Sequence, residues 1–121
     1  MNKKRLLIID DDPKNIFALV NTLKAKSYDC LSCLSAEEAL KLLETSENID
    51  AVLIDMMMPE MDGYEAIPLI KKIPYREDTK VIAVTAQAMT GDREKCLEAG
   101  ADDYISKPIN VDKLLVALSK I

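Results

Sequence analysis

Short apolar runs alternate with amphipathic stretches along the whole chain, in a strand–helix rhythm. Arg5-Leu6-Leu7-Ile8-Ile9-Asp10 is a continuous apolar run closed by a carboxylate, the pattern of a strand buried on both faces. Asp12-Pro13 then supplies an N-cap and a proline at the first helical position, predicting a helix to about Lys26. Tyr28 to Leu34 is a second strand, polar enough to sit at a sheet edge. Ser35-Ala36-Glu37-Glu38 starts a second helix with a capping hydroxyl and a glutamate three residues on; Ala36, Leu40 and Leu43 form its apolar stripe. Ala51-Val52-Leu53-Ile54-Asp55 is a third strand, apolar until its last residue. Pro59 and Gly63 mark the loop into a helix from about Tyr64 to Lys72, where Pro68 removes a backbone donor and predicts a kink or a late start. Four more elements follow: a strand Lys80 to Thr85, a helix near Asp92 to Ala99 stopped by Gly100, a strand Asp103 to Ser106 broken by Lys107-Pro108, and a helix from Val111 to about Lys120.

Five strand–helix units with connections of this length predict an α/β fold, with a parallel five-stranded sheet, right-handed crossovers and helices on both faces. The 121 residues are one domain's worth, with no repeat or low-complexity linker. A single domain over residues 1–121, without an output domain, is therefore expected.

Composition narrows the function. Apolar residues make up 49% of the chain, enough for a packed core. No apolar run approaches the roughly 20 residues of a membrane span, and Leu6 to Ile9 is too short for a signal peptide. The expected setting is cytoplasmic, without membrane contact. A net charge of −5 argues against nucleic acid as a partner. Cys30 and Cys33 resemble a CxxC pair, but in a strand residues i and i+3 point to opposite faces, so both read as core or bystander thiols, as does Cys96. The chain has no histidine, which excludes histidine triads, histidine metal sites and any role as a phosphohistidine donor.

In an open parallel sheet, ligands bind beyond the carboxyl ends of the strands, where strand order reverses. The first strand ends in Asp10-Asp11, the third in Asp55 and the fourth in Thr85; Lys107 follows the fifth. Taken singly, each has an ordinary reading: a turn or capping aspartate, a strand threonine, a surface lysine. Taken together, they bring carboxylates, a hydroxyl and an ammonium to one edge. Carboxylates about 4 Å apart repel by about 1 kcal/mol in water and about 4 kcal/mol when partly buried. A hard divalent cation such as magnesium resolves that repulsion, and Lys107 and Thr85 suit a phosphoryl group.

These residues resemble the CheY-like receiver domains of two-component signalling. The resemblance covers essentially the whole chain through Asp10-Asp11, the segment Asp55-Met56-Met57-Met58-Pro59-Glu60-Met61-Asp62-Gly63, Thr85-Ala86 and Lys107-Pro108. It implies a flavodoxin-like three-layer sandwich with strand order 2-1-3-4-5. It implies that Asp55 is the phosphoacceptor, taking a phosphoryl group from a phosphohistidine of a histidine kinase or histidine phosphotransfer protein. Asp11, Asp10, Asp55 and the Met57 backbone carbonyl would hold Mg2+. Thr85 would move inward to the phosphoryl group, Lys107 would pair with it, and Tyr104 would turn as the switch aromatic. The bond before Pro108 is expected to be cis. The output is a downstream protein bound at the face formed by helix four, strand five and helix five, and the chain is a monomer or weak homodimer. The protein is then a signalling switch that promotes its own phosphorylation and dephosphorylation, not an enzyme with a separate substrate. Met57 and Gln87 stand where the family tunes acyl-phosphate lifetime. Met57 offers no acid or amide to orient water, so a half-life longer than seconds is expected.

Other readings fit less well. A haloacid-dehalogenase-type phosphatase would place its nucleophile at Asp10 with Asp12 two on, and would want Thr or Val where Lys14 stands. A flavin carrier is poorly served by three glycines, one Phe and no Trp. A receiver kept only as a scaffold does not need an intact acidic set. Helix one is apolar from Ile16 to Val20, wider than a core stripe needs, which leaves surface for a kinase's helices.

Overall fold

The computed structural model describes residues 3–45, 48–86 and 91–121. Its elements alternate strictly: β1 (Arg5–Ile9), α1 (Pro13–Ala25), β2 (Asp29–Cys33), α2 (Ala36–Leu43), β3 (Ala51–Asp55), α3 (Gly63–Lys72), β4 (Lys80–Thr85), α4 (Asp92–Ala99), β5 (Asp103–Ser106) and α5 (Val111–Leu118). The strands form one parallel sheet in the order β2-β1-β3-β4-β5. This is the doubly wound flavodoxin-like order, with the reversal between β1 and β3.

Side-chain alternation explains why the central strands read as unbroken apolar runs. Leu7, Ile9, Val52, Ile54, Val81 and Ala83 face the core under α2, α3 and α4. Leu6, Ile8, Leu53, Ile82 and Val84 face the core under α1 and α5. A strand covered on both faces has no solvent side on which to place polar residues. β2 lies at the edge, and Cys33 and Cys30 pack against opposite cores.

The helix starts follow local capping chemistry. The Asp12 carboxylate accepts from Lys14 N, the Ser35 hydroxyl from Glu38 N, and the Asn110 side chain from Lys113 N. α3 runs from Gly63 to Lys72 as the pattern predicts to within one residue, without a late start despite Pro68 inside it. A capping box fixes that start, with Asp62 accepting from Glu65 N and the Glu65 side chain accepting from Asp62 N. That compensates at the N-terminus for the donor Pro68 cannot supply. α1 and α5 end slightly earlier than their patterns suggest.

The end of the sheet opposite the strand carboxyl ends is held by polar ties. Asp102 Oδ2 accepts from Lys71 Nζ at 2.7 Å and from Val81 N at 2.9 Å. Arg76 is buried and donates to the Leu43 and Thr45 carbonyls, while Tyr75 donates to the Glu44 carbonyl. Together these bonds close the C-terminal end of α2. Among the described residues, no helix is long and apolar enough to cross a membrane.

Candidate functional site

Parallel register assembles the site. Ile9 pairs with Ile54, so Asp10 and Asp55 each stand one step beyond that pair, on adjacent strands. Asp55 pairs with Val84, and Thr85 with Ser106, so Thr85 ends the next strand and Lys107 follows the end of the one after it. The ladder continues past the strand ends: Met56 N donates to the Val84 carbonyl at 2.8 Å, and Lys107 N to the Thr85 carbonyl at 2.7 Å. These bonds set the backbone positions from which the functional side chains extend.

Asp10, Asp55 and Thr85 are buried, Asp11 is exposed and Lys107 is half-buried. One oxygen from each of Asp10, Asp11 and Asp55 lies within 4.8 Å of the others. At that separation each pair repels by about 3.5 kcal/mol at an effective dielectric of about 20. Lys107 Nζ sits against this cluster, 3.1 Å from Asp55 Oδ2 and 3.8 Å from Asp10 Oδ2. Backbone donors hold the other oxygens: Met57 N to Asp55 Oδ1 at 3.0 Å, and Asp12 N to Asp10 Oδ1 at 2.9 Å. Both buried carboxylates are thereby oriented from two sides.

Burial pushes the Asp10 carboxyl above its ordinary value, against the backbone donor of Asp12; nearby Asp55 raises it further, Lys107 lowers it, and Asp11 raises it. Three carboxylates against one ammonium leave a surplus of negative charge. Hard oxygen donors at this spacing fit a small divalent cation.

The remaining residues singled out from the sequence surround this edge. Met57 stands just beyond β3 with its side chain 52% exposed. The Lys107–Pro108 bond is cis. Tyr104 is half-buried on β5 and packs against the core under α4. Burial, then the Asp92 carboxylate, raises its phenol above the ordinary value. Gln87 lies outside the described residues.

Two features of the site were not apparent from the sequence. A side chain on Gly63 would meet the Met56 sulfur and, at 2.9 Å, the Met56 Cα, so the first turn of α3 packs directly on the residue after Asp55. That close approach is why glycine stands there. The Tyr64 hydroxyl donates to Asp92 Oδ1 at 2.9 Å, joining α3 to α4. Nothing in the local pattern signals this pair, because the two residues are 28 positions apart.

Comparison with known proteins agrees with this architecture. The family model described as "Response regulator receiver domain" matches residues 6–119. The chain is 38% identical over 109 residues to the signal transduction histidine-protein kinase BarA of Escherichia coli K12, covering 90% of this chain but 12% of BarA. It is 33% identical over 115 residues to the heme response regulator HssR of Staphylococcus aureus MRSA252, covering 95% of this chain and 50% of HssR. The chain thus spans about an eighth of one relative and half of the other. The solved receiver domain of the sensor histidine kinase PA1611 from Pseudomonas aeruginosa PAO1, which has a magnesium ion in its active-site cleft, superposes with a TM-score of 0.88 at 31% identity, over 98% of this chain and 97% of that one. With the strand order, the acidic edge and a family match over nearly its full length, the chain belongs to the response regulator receiver domains of two-component signalling.

Proposed function

We propose that the chain is the phosphoacceptor of a two-component phosphorelay, with Asp55 as the phosphorylated residue. The observation that carries this is the setting of the Asp55 carboxylate: 6% exposed, with one oxygen on Met57 N, the other on Lys107 Nζ, and two further carboxylates within 4.8 Å. An Asp55 oxygen attacks the phosphorus of a phosphohistidine, the P–N bond breaks as the P–O bond forms, and an aspartyl phosphate results. Lys107 is placed to move from the carboxylate to a phosphoryl oxygen, and Thr85 to donate its hydroxyl to another. Asp10, Asp11, Asp55 and the Met57 carbonyl would hold magnesium. The ion, when bound, supplies charge neutralisation for the transferring phosphoryl group. No histidine in the chain can pass the group onward.

The donor is a histidine kinase or a histidine phosphotransfer protein, and α1 offers the surface for its helices. Phe17 is 71% exposed, and Ala18, Leu19 and Thr22 line a cleft of about 280 Å3 that reaches Asp10 and Lys107. Phosphorylation shifts Thr85 and Tyr104 and thereby the face formed by α4, β5 and α5, where a downstream protein or a second copy binds. A cytoplasmic setting and an output through protein rather than nucleic acid accord with the net charge of −5.

The test is phosphotransfer from candidate kinases, and from acetyl phosphate with magnesium, mapped by mass spectrometry. The phosphoryl group is expected on Asp55 and absent in Asp55→Asn. Modification at Asp10 instead would support the phosphatase-type alternative. A beryllofluoride complex that left Thr85 and Tyr104 in place would reject the switch.

A further inference from the structure

α4 is weakly anchored. Of its 8 residues only Asp92 and Cys96 are buried, and its N-cap, Gly91, is left-handed and makes no side-chain capping bond. The buried residue at its first position is a carboxylate, 4% exposed. Its Oδ1 accepts from the Tyr64 hydroxyl at 2.9 Å, and its Oδ2 is enclosed without a hydrogen-bond partner among the described residues. A buried carboxylate is tolerated through the bonds it makes, so the Tyr64 phenol, with the Tyr104 phenol also beside Asp92, helps hold this end of α4 in place. Burial and the Asp92 bond keep that phenol protonated well above neutral pH.

Tyr64 is also close to Asp55 along the chain. It follows Gly63, whose N–H donates to the Met56 carbonyl at 3.3 Å, and Met56 follows Asp55. α4 itself begins at Asp92, seven residues after Thr85. One hydrogen bond therefore links the segment after the proposed phosphoacceptor to the helix after the proposed switch hydroxyl. The Lys107 ammonium lies 3.1 Å from Asp55 Oδ2, a contact that a phosphoryl group on Asp55 would displace.

We propose that the Tyr64–Asp92 hydrogen bond is a latch that ties α4 to α3 and holds α4 in its unphosphorylated position. The coupling to phosphorylation rests on Asp55 being the phosphoacceptor; the restraint on α4 does not. A phosphoryl group that favours a shifted α4 works against the latch. Breaking the latch in advance must then raise affinity for a phosphoryl mimic, because the two equilibria are linked.

The test compares Tyr64→Phe, Asp92→Asn (which keeps an acceptor for Tyr64) and Tyr75→Phe, which removes a phenol bonded to the Glu44 carbonyl away from the site. Amide hydrogen exchange is measured on metal-free protein. Beryllofluoride with magnesium chloride is then titrated and followed by amide NMR shifts. In Tyr64→Phe the α4 amides are expected to exchange about tenfold faster with β1 and β3 unchanged, and beryllofluoride to bind about three- to tenfold tighter. Asp92→Asn and Tyr75→Phe stay within about twofold of the unaltered chain. Unchanged α4 exchange in Tyr64→Phe, or equal acceleration in β1 and β3, overturns the latch. Faster α4 exchange with unchanged beryllofluoride affinity overturns its coupling to Asp55. If the unaltered chain fails to bind beryllofluoride, the Asp55 reading and the coupling fall together, and the exchange data still decide the latch.

Discussion

Replacing Lys107 with methionine keeps the aliphatic stem and removes the cation that offsets the acidic cluster. Its ammonium lies 3.1 Å from Asp55 Oδ2 and 3.8 Å from Asp10 Oδ2. At an effective dielectric of about 20, those separations correspond to about 5 and about 4 kcal/mol of attraction. The lysine side chain is 26% exposed, so rehydration and screening return much of this. Breaking a fully buried pair costs about 3–5 kcal/mol and an exposed one under about 1 kcal/mol, which places this change at about 2–3 kcal/mol. With about 2.1 cal/mol/K of unfolding entropy per residue, Tm falls by about 8–12 °C. Asp10 sets the pH dependence. Its folded carboxyl is raised above its unfolded value, so protonation favours the fold, and that contribution fades as pH rises through the folded value. Lys107 lowers the Asp10 value, so Lys107→Met raises it further and widens that window upward. The deficit is therefore greatest near neutral pH and narrows as pH falls toward the ordinary carboxylate range. Magnesium narrows it too, by supplying the missing positive charge. Urea unfolding at pH 7.5 and pH 5, in EDTA and in magnesium, measures all of this. A deficit below about 0.5 kcal/mol at pH 7.5, the size of a surface pair, or one that magnesium leaves unchanged, would refute the reasoning.

Four further outcomes are expected. Gly63→Ala forces a methyl group onto Met56 and costs about 1–3 kcal/mol, and by displacing the loop after Asp55 it slows phosphoryl uptake from acetyl phosphate. Arg76→Lys loses the fork that reaches both the Leu43 and Thr45 carbonyls and costs about 2–3 kcal/mol by urea unfolding, with phosphoryl uptake unchanged because the clasp lies away from the site. Burial pushes the Cys33 thiol up to about 11, so iodoacetamide at pH 8 meets on the order of one thiolate in a thousand, and labelling by mass spectrometry proceeds far more slowly than for free cysteine. Phospho-Asp55 decays with a half-life longer than seconds, since Met57 has no acid or amide with which to orient water; loss within seconds in magnesium buffer would reject that.

The fold was legible because each of its signals is local. Continuous apolar runs such as Ala51–Ile54 follow from burial on both faces of a parallel sheet, and the Asp12-Pro13 and Ser35 starts follow from backbone donors a few residues away. The acidic edge was legible for a related reason. Once five parallel strands are read, every residue at a strand's carboxyl end shares one side of the sheet, and Asp10, Asp55, Thr85 and Lys107 stand at such ends. The start of α3 at Gly63 lies one residue from the expected Tyr64, fixed by the Asp62–Glu65 box despite Pro68.

What tertiary structure alone decided depends on atoms meeting across the fold. The reach of Lys107 to two carboxylates, the close approach of Gly63 to Met56, the Arg76 clasp on α2 and the Tyr64–Asp92 bond all join residues on separate elements. Sequence determines which side chains are offered and at which end of the sheet, because strand alternation and capping act over a few residues. Register and helix packing determine which of them touch, because a hydrogen bond forms or fails over a few tenths of an ångström, a distance that only the assembled fold sets.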